Sequence, residues 1–207
     1  MADRIILMFH GLGGDQKTML PIGEYCGQHL TNTRFLPIEG PINLGGSTSP
    51  CLGWFEPPHD NDRALDSLTP PKLNGLHDSL ALAHKTITEL VDQGVDPLTI
   101  HLLGHSQGGA IAISAGLTYP EKLGSVCAIA GYLALTRDML PYATGTNYYL
   151  HHSEHDENVG FRWAHYAKSF VESTGNSRTV YPWDKRDDPH SINVEQLDAI
   201  CSTIFES

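Results

Sequence analysis

The sequence predicts a single α/β domain over residues 1–207, built on a mostly parallel central sheet with helices on both faces. Three observations carry this expectation. Short continuous apolar runs recur along the chain, as buried parallel strands require. They alternate with amphipathic or small-residue stretches of helical length, and glycine or proline punctuates the junctions. Strands alternating with helices close into a parallel sheet covered on both sides.

Ile5 to Phe9 reads as the first central strand, broken by His10-Gly11-Leu12-Gly13-Gly14 and followed by a helix from Met19 to Leu30. Arg34 to Ile38 reads as the second strand. From Glu39 to about Leu73 the chain is rich in Pro and Gly without periodicity, and a loop of this length points to the substrate side of the domain. Between Asn74 and Val91, Leu76, Leu80, Ala83, Ile87, Leu90 and Val91 approximate the i, i+3/i+4 repeat of an amphipathic helix, which Gly94 stops. Leu98 to Leu103 is the next strand, and a small-residue helix runs from Gln107 to Leu117. Further strands are expected at Ser125 to Ala130, Asn147 to His151 and Arg178 to Tyr181, with helices over Phe161 to Ser173 and Asn193 to Phe205. The chain contains no internal repeat and no low-complexity segment.

With 207 residues, 40% of them hydrophobic, the chain can bury a full core. A net charge of −11 without any Lys/Arg run excludes nucleic acid as a partner and disfavours an anionic membrane surface. No apolar stretch approaches the roughly 18 residues of a spanning helix, and Met1-Ala2-Asp3-Arg4 leads straight into an apolar segment without a signal-peptide leader. The expectation is a cytoplasmic protein without stable membrane insertion. Cys26, Cys51, Cys127 and Cys201 are scattered, which reads as reduced structural thiols, and Cys127 within Val126-Cys127-Ala128-Ile129-Ala130 as a small buried hydrophobe.

Gly104-His105-Ser106-Gln107-Gly108 fits G-x-S-x-G between an expected strand and an expected helix, the context of the nucleophile elbow in the α/β-hydrolase fold. Such a turn presents the serine hydroxyl at the carboxyl end of the sheet, beside a helix N-terminus that favours developing negative charge. A serine hydroxyl alone is a poor nucleophile and needs a histidine to take its proton and a carboxylate to orient that histidine. In this fold they follow in the order Ser, Asp/Glu, His. Asp156, on a short polar loop after Asn147 to His151, is the expected acid; Glu154 and Glu157 share its loop, and Asp138 is the other candidate. His190 is the expected base, because His165, the only other histidine after Asp156, falls within a predicted helix. The carboxylates Asp184, Asp187 and Asp188 near His190 could raise its pKa or compete for its orientation. The cluster His151, His152, Glu154, His155 and Asp156 also has zinc-ligand chemistry, but no H-e-x-x-H helix accompanies it, and neither a metal nor another cofactor is expected.

These motifs resemble the phospholipase/carboxylesterase family of α/β hydrolases, which includes acyl-protein thioesterases. Phe9-His10-Gly11-Leu12-Gly13-Gly14 is similar to its oxyanion loop, Gly53-Trp54-Phe55-Glu56 to its tryptophan-phenylalanine-acid segment, and Gly104 to Gly109 to its elbow. His152 to Val159 is similar to its acid loop, and Pro189-His190-Ser191 to its histidine segment. The resemblance implies an oxyanion hole from the backbone N–H groups of Leu12 and Gln107. Departures occur at Ser153, Glu157, Gly160 and Asp187-Asp188-Pro189. Trp54 and Phe55 are candidates to line an acyl groove, with a packed loop anchor as the alternative for Trp54. With no separate lid domain, an open, shallow site is expected, favouring carboxylesterase over long-chain lipase activity. The substrate is then a small-molecule ester or an acylated species such as a thioester. Alternatives are an acyl-protein thioesterase or lysophospholipase, or a non-catalytic binding protein that retains the pocket.

Overall fold

A computed structural model describes residues 4–45, 50–57, 73–136, 138–183 and 188–206. Its first strand, β1 (Arg4–Phe9), leads through a 3-10 turn (Gln16–Met19) into α1 (Leu20–His29) and then β2 (Thr33–Ile38). The Asp15 side chain caps the turn by accepting from the Thr18 N–H at 3.0 Å. Two short strands, β3 (Ile42–Asn43) and β4 (Leu52–Gly53), pair antiparallel inside the region expected to be loop. Next come α2 (Leu76–Asp92), β5 (Ile100–His105), α3 (Gln107–Thr118), β6 (Ser125–Ile129), β7 (Asn147–Ser153), α4 (Arg162–Ser173), β8 (Ser177–Trp183) and α5 (Val194–Glu206). The elements match the expected ones closely. β5 begins at Ile100 instead of Leu98 because Asp96 caps a 3-10 turn over Pro97–Thr99, its side chain accepting from the Leu98 N–H.

Six strands form one sheet in the order β2-β1-β5-β6-β7-β8, every pair parallel. The chain steps outward from β1 to β2 and then returns to β5 on the other side of β1. The loops leaving β1 and β5 therefore diverge, and the crevice between them is the topological switch point where open α/β sheets bind ligands. The edge strands each carry a proline, Pro37 in β2 and Pro182 in β8.

Both faces are covered. One core joins Leu7, Phe9, Ile100, Leu102, Val126 and Leu150 of the strands to α2, α3 and α4; the other joins Ile6, Met8, Leu103, Cys127 and Ile129 to α1 and α5. Helix α3 is buried from Gln107 to Leu117, which explains its small, apolar composition: it packs on all sides and has no wet face. Among the described residues no helix is long and apolar enough to cross a membrane.

His101 on β5 and His151 on β7 are enclosed in the sheet. Burial, assisted at His101 by the Arg4 charge, lowers each imidazole to about 4 from an ordinary value near 6.5. The folded state then stays neutral where the unfolded chain takes up protons, so stability rises with pH between about 4 and about 6.5 and is lost on acidification through that window. Thermal unfolding at stepped pH should show the midpoint falling steadily from about pH 6.5 to about pH 4; a flat midpoint would refute this.

Candidate active site

Ser106 occupies the turn between β5 and α3 with φ 54° and ψ −120°. A residue with a side chain adopts this region at a cost of about 1–3 kcal/mol, so its surroundings must hold it there. The Ser106 N–H donates to the Ile129 carbonyl on β6 at 2.8 Å, and the Ser106 carbonyl accepts from the Ala110 N–H at 3.0 Å. A Cβ on Gly104 would lie 2.1 Å from the Gly108 carbonyl oxygen, and one on Gly108 would lie 2.1 Å from the Phe9 carbonyl oxygen. The two glycines of the motif thus encode two backbone approaches, one inside the turn and one between the elbow and β1.

The turn brings Ser106 to His190, whose Nε2 lies 2.9 Å from Ser106 Oγ. His190 Nδ1 lies 2.7 Å from Asp156 Oδ2. Asp156 sits on the turn after β7, where its Oδ1 accepts from the N–H groups of Asn158 and Val159, both at 2.9 Å. His152, at the end of β7, lies 3.6 Å from Asp156 Oδ2 and donates through Nε2 to the Val159 carbonyl. Burial works to raise the Asp156 carboxyl, but the hydrogen bonds from His190 and the Val159 N–H, with the charges of His190 and His152, outweigh it. The carboxyl is held below its usual range and acts as an acceptor. His190 must then carry its proton on Nδ1, which leaves Nε2 to accept from the serine hydroxyl.

The other candidates stand apart. Glu154 and Glu157 are exposed, and Asp138 faces His77 at 3.4 Å. His165 is exposed on α4 against the edge of Phe161. Asp184 and Asp187 lie outside the described residues; Asp188 is exposed, and its carbonyl accepts from the Ser191 N–H. Among the described residues no three His, Cys, Asp or Glu side chains group as a metal site would need.

Gln107 is the first residue of α3, where an N–H has no intrahelical acceptor. Leu12 lies on the loop after β1, held by the Gly13 N–H to the Leu52 carbonyl at 2.7 Å and the Gly14 N–H to the Gly11 carbonyl at 3.0 Å. The two segments adjoin: a Cβ on Gly53 would meet the Leu12 side chain and Gln107 Oε1, each at 3.0 Å.

The expectation that Trp54 and Phe55 line an acyl groove requires a correction, because both are 0% exposed, and Trp54 takes the alternative role of a packed loop anchor. The Trp54 ring packs edge-on against Phe9 and its Nε1–H donates to the His10 carbonyl at 2.8 Å. The Trp54 N–H donates to Gln107 Oε1 at 2.9 Å, the Trp54 carbonyl accepts from Ser79 Oγ, and Gln107 Nε2 donates to the Phe55 carbonyl at 2.8 Å. His10, also buried, accepts the Gly40 N–H on Nε2, so its proton sits on Nδ1 and points to the Gly11 carbonyl. The segment is a buried strap that binds the loop after β1, the start of α3 and α2 to one another. The Gln107 side chain was not singled out from sequence, although a buried amide opening an apolar helix signals a pair of hydrogen-bond partners to be found.

Gln107→Leu strips the partners from two buried backbone groups, the Trp54 N–H and the Phe55 carbonyl. At about 1–3 kcal/mol each, the expected destabilisation is roughly 2–6 kcal/mol in a urea titration. A loss below about 0.5 kcal/mol would show that the strap does not depend on this amide.

The phospholipase/carboxylesterase family model matches residues 1–205. Acyl-protein thioesterase 1 of Kluyveromyces lactis is 27% identical, with 95% of this chain and 88% of that protein covered. A probable SOBER1-like carboxylesterase of Arabidopsis thaliana is also 27% identical over 95% of this chain and 76% of its own. The crystal structure of Arabidopsis thaliana SOBER1 superposes with a TM-score of 0.84 over 98% of both chains at 23% identity, and so shares the fold. The chain therefore belongs to the phospholipase/carboxylesterase family of α/β hydrolases.

Proposed function

We propose that residues 1–207 act as one domain that hydrolyses carboxylic esters or thioesters of small acylated substrates through an acyl-enzyme on Ser106. The observation that carries this reading is the continuous relay from Ser106 Oγ to His190 Nε2 at 2.9 Å and from His190 Nδ1 to Asp156 Oδ2 at 2.7 Å.

In the first half-reaction Ser106 Oγ attacks the acyl carbonyl carbon while its proton passes to His190 Nε2. The carbonyl oxygen becomes an oxyanion that the backbone N–H groups of Leu12 and Gln107 stabilise, at the positive end of α3. As the tetrahedral intermediate collapses, the bond to the alcohol or thiol breaks and His190 returns the proton to that leaving group. Water then attacks the acyl-enzyme, with His190 taking one of its protons and giving it back to Ser106 Oγ as the acid departs. Asp156 holds the imidazole tautomer throughout and stabilises the imidazolium. Every proton is carried by the chain's own groups. The names of the relatives, carboxylesterases and acyl-protein thioesterases, support both leaving-group classes.

A panel of p-nitrophenyl esters and acyl-thioesters of increasing chain length, with fluorophosphonate labelling, tests the reading. The chain should turn over members of the panel and label at Ser106, and Ser106→Ala should abolish labelling and lower kcat by about 10⁴-fold or more. Esterase turnover retained in Ser106→Ala would overturn the assignment; an unlabelled, inactive wild type would favour a binding protein that keeps the pocket.

A further inference from the structure

His105 is the residue of the elbow that neither the motif nor the relay uses. It ends β5, and the two-residue period of the strand turns its side chain to the same face as Leu103, where α1 and α5 pack. There its Nε2 lies 2.7 Å from the backbone carbonyl oxygen of His190, 85 residues later in the chain. A carbonyl oxygen only accepts, so Nε2 carries the proton and donates it. The rings of His105 and His190 approach to 5.1 Å between centroids at 50°. On its other side His105 meets the loop after β1, where a Cβ on Gly11 would lie 3.2 Å from its Nδ1. His105 thus fills the gap between the loop that bears Leu12 and the loop that bears His190.

We infer that His105 is a positioning residue for the reaction, whose Nε2–H holds the backbone of His190 at the distance from Ser106 that proton transfer requires. The inference rests on the reading of Ser106 and His190 as nucleophile and base. The imidazole of His190 is tied at Nδ1 by Asp156, but a side-chain bond alone leaves the backbone of its loop able to shift with it. The bond from His105 ties the backbone itself. Because His105 and Ser106 are consecutive, the hydroxyl and the donor that locates the base share one rigid anchor: the last pair of the β5–β6 ladder, His105 with Ile129, beside the bond from Ser106 N–H to the Ile129 carbonyl. Geometry set this way matters because misplacement by about 1 Å can cost as much as 10²-fold in rate.

The test compares side chains of similar reach with and without a donor. His105→Met and His105→Phe remove the N–H, whereas His105→Gln keeps a donor at nearly the same distance. Purified full-length variants are assayed on a p-nitrophenyl ester that wild type turns over, with thermal midpoints and Ser106→Ala run alongside. His105→Met and His105→Phe should lose about 10-fold or more in kcat with KM within about 2-fold, and His105→Gln should recover to within about 3-fold of wild type. The donor-free variants matching wild type, or His105→Gln falling as far as His105→Met, would overturn the inference, the second result indicating packing alone. If either donor-free variant does not fold, the other supplies the comparison with His105→Gln. Should Ser106→Ala retain turnover, the failure lies with the assignment of the nucleophile and not with His105.

Discussion

The backbone of Ser106 is the constraint on which the site is built. A residue with a side chain is kept at φ 54° only because two glycines let the elbow close on itself and on β1, while a hydrogen bond to β6 fixes the turn from the side. The approach of Gly104 to Gly108 lies within the motif, but the other two supports are remote in sequence: one comes from the strand before the loop of Leu12, the other from the neighbouring strand β6. The conformation is therefore sustained by the assembled centre of the sheet, with β1, β5 and β6 side by side. Those strands lie at and beside the switch point, where the loop after β1 and the start of α3 adjoin. The strain and the meeting of these two segments have one origin in the strand order.

Around that centre, polar groups that would be costly if left unmatched are used as fasteners. Gln107, Trp54, His10 and Ser79 are all buried, and each satisfies a backbone group on a different segment. Such a network specifies geometry more than it adds net stability, because each bond replaces one to water while a broken one leaves a bare buried donor or acceptor. The carboxylate of Asp156 is treated similarly, with both oxygens engaged, and the outcome is an anion at a nearly dry position.

Much of this was legible in the sequence, for reasons that differ by residue. The parallel strands declare themselves because burial on both faces forces continuous apolar runs, as in Ile5 to Phe9. The elbow declares itself because its glycines answer a steric demand. Asp156 and His190 follow from chain order, and the fold brings these two positions and Ser106 within hydrogen-bond distance. The β3–β4 pair escaped because two-residue strands have no periodicity to read. The start of β5 moved because a capped Asp96-Pro97 turn outcompetes a β-like run of Leu and Thr. Between the groove and the packed-anchor readings of Trp54 the sequence does not choose, and it gives no sign that Phe55 is buried, because aromatic letters report a large apolar surface without saying which neighbours cover it. The contacts of Gln107 with Trp54 and of His105 with His190 span 53 and 85 residues, and no local pattern records them.

The prolines of the two edge strands have a consequence beyond the chain itself. A sheet ends wherever its outermost strand stops offering a complete row of donors, and an open row invites strands from other molecules. Pro37 and Pro182 each remove one donor from an outer strand, a loss tolerated at an edge and costly in the middle. A proline in each outer strand disfavours continuation of the ladder into a strand of another molecule, so the composition of β2 and β8 works with the topology to end the sheet where it ends.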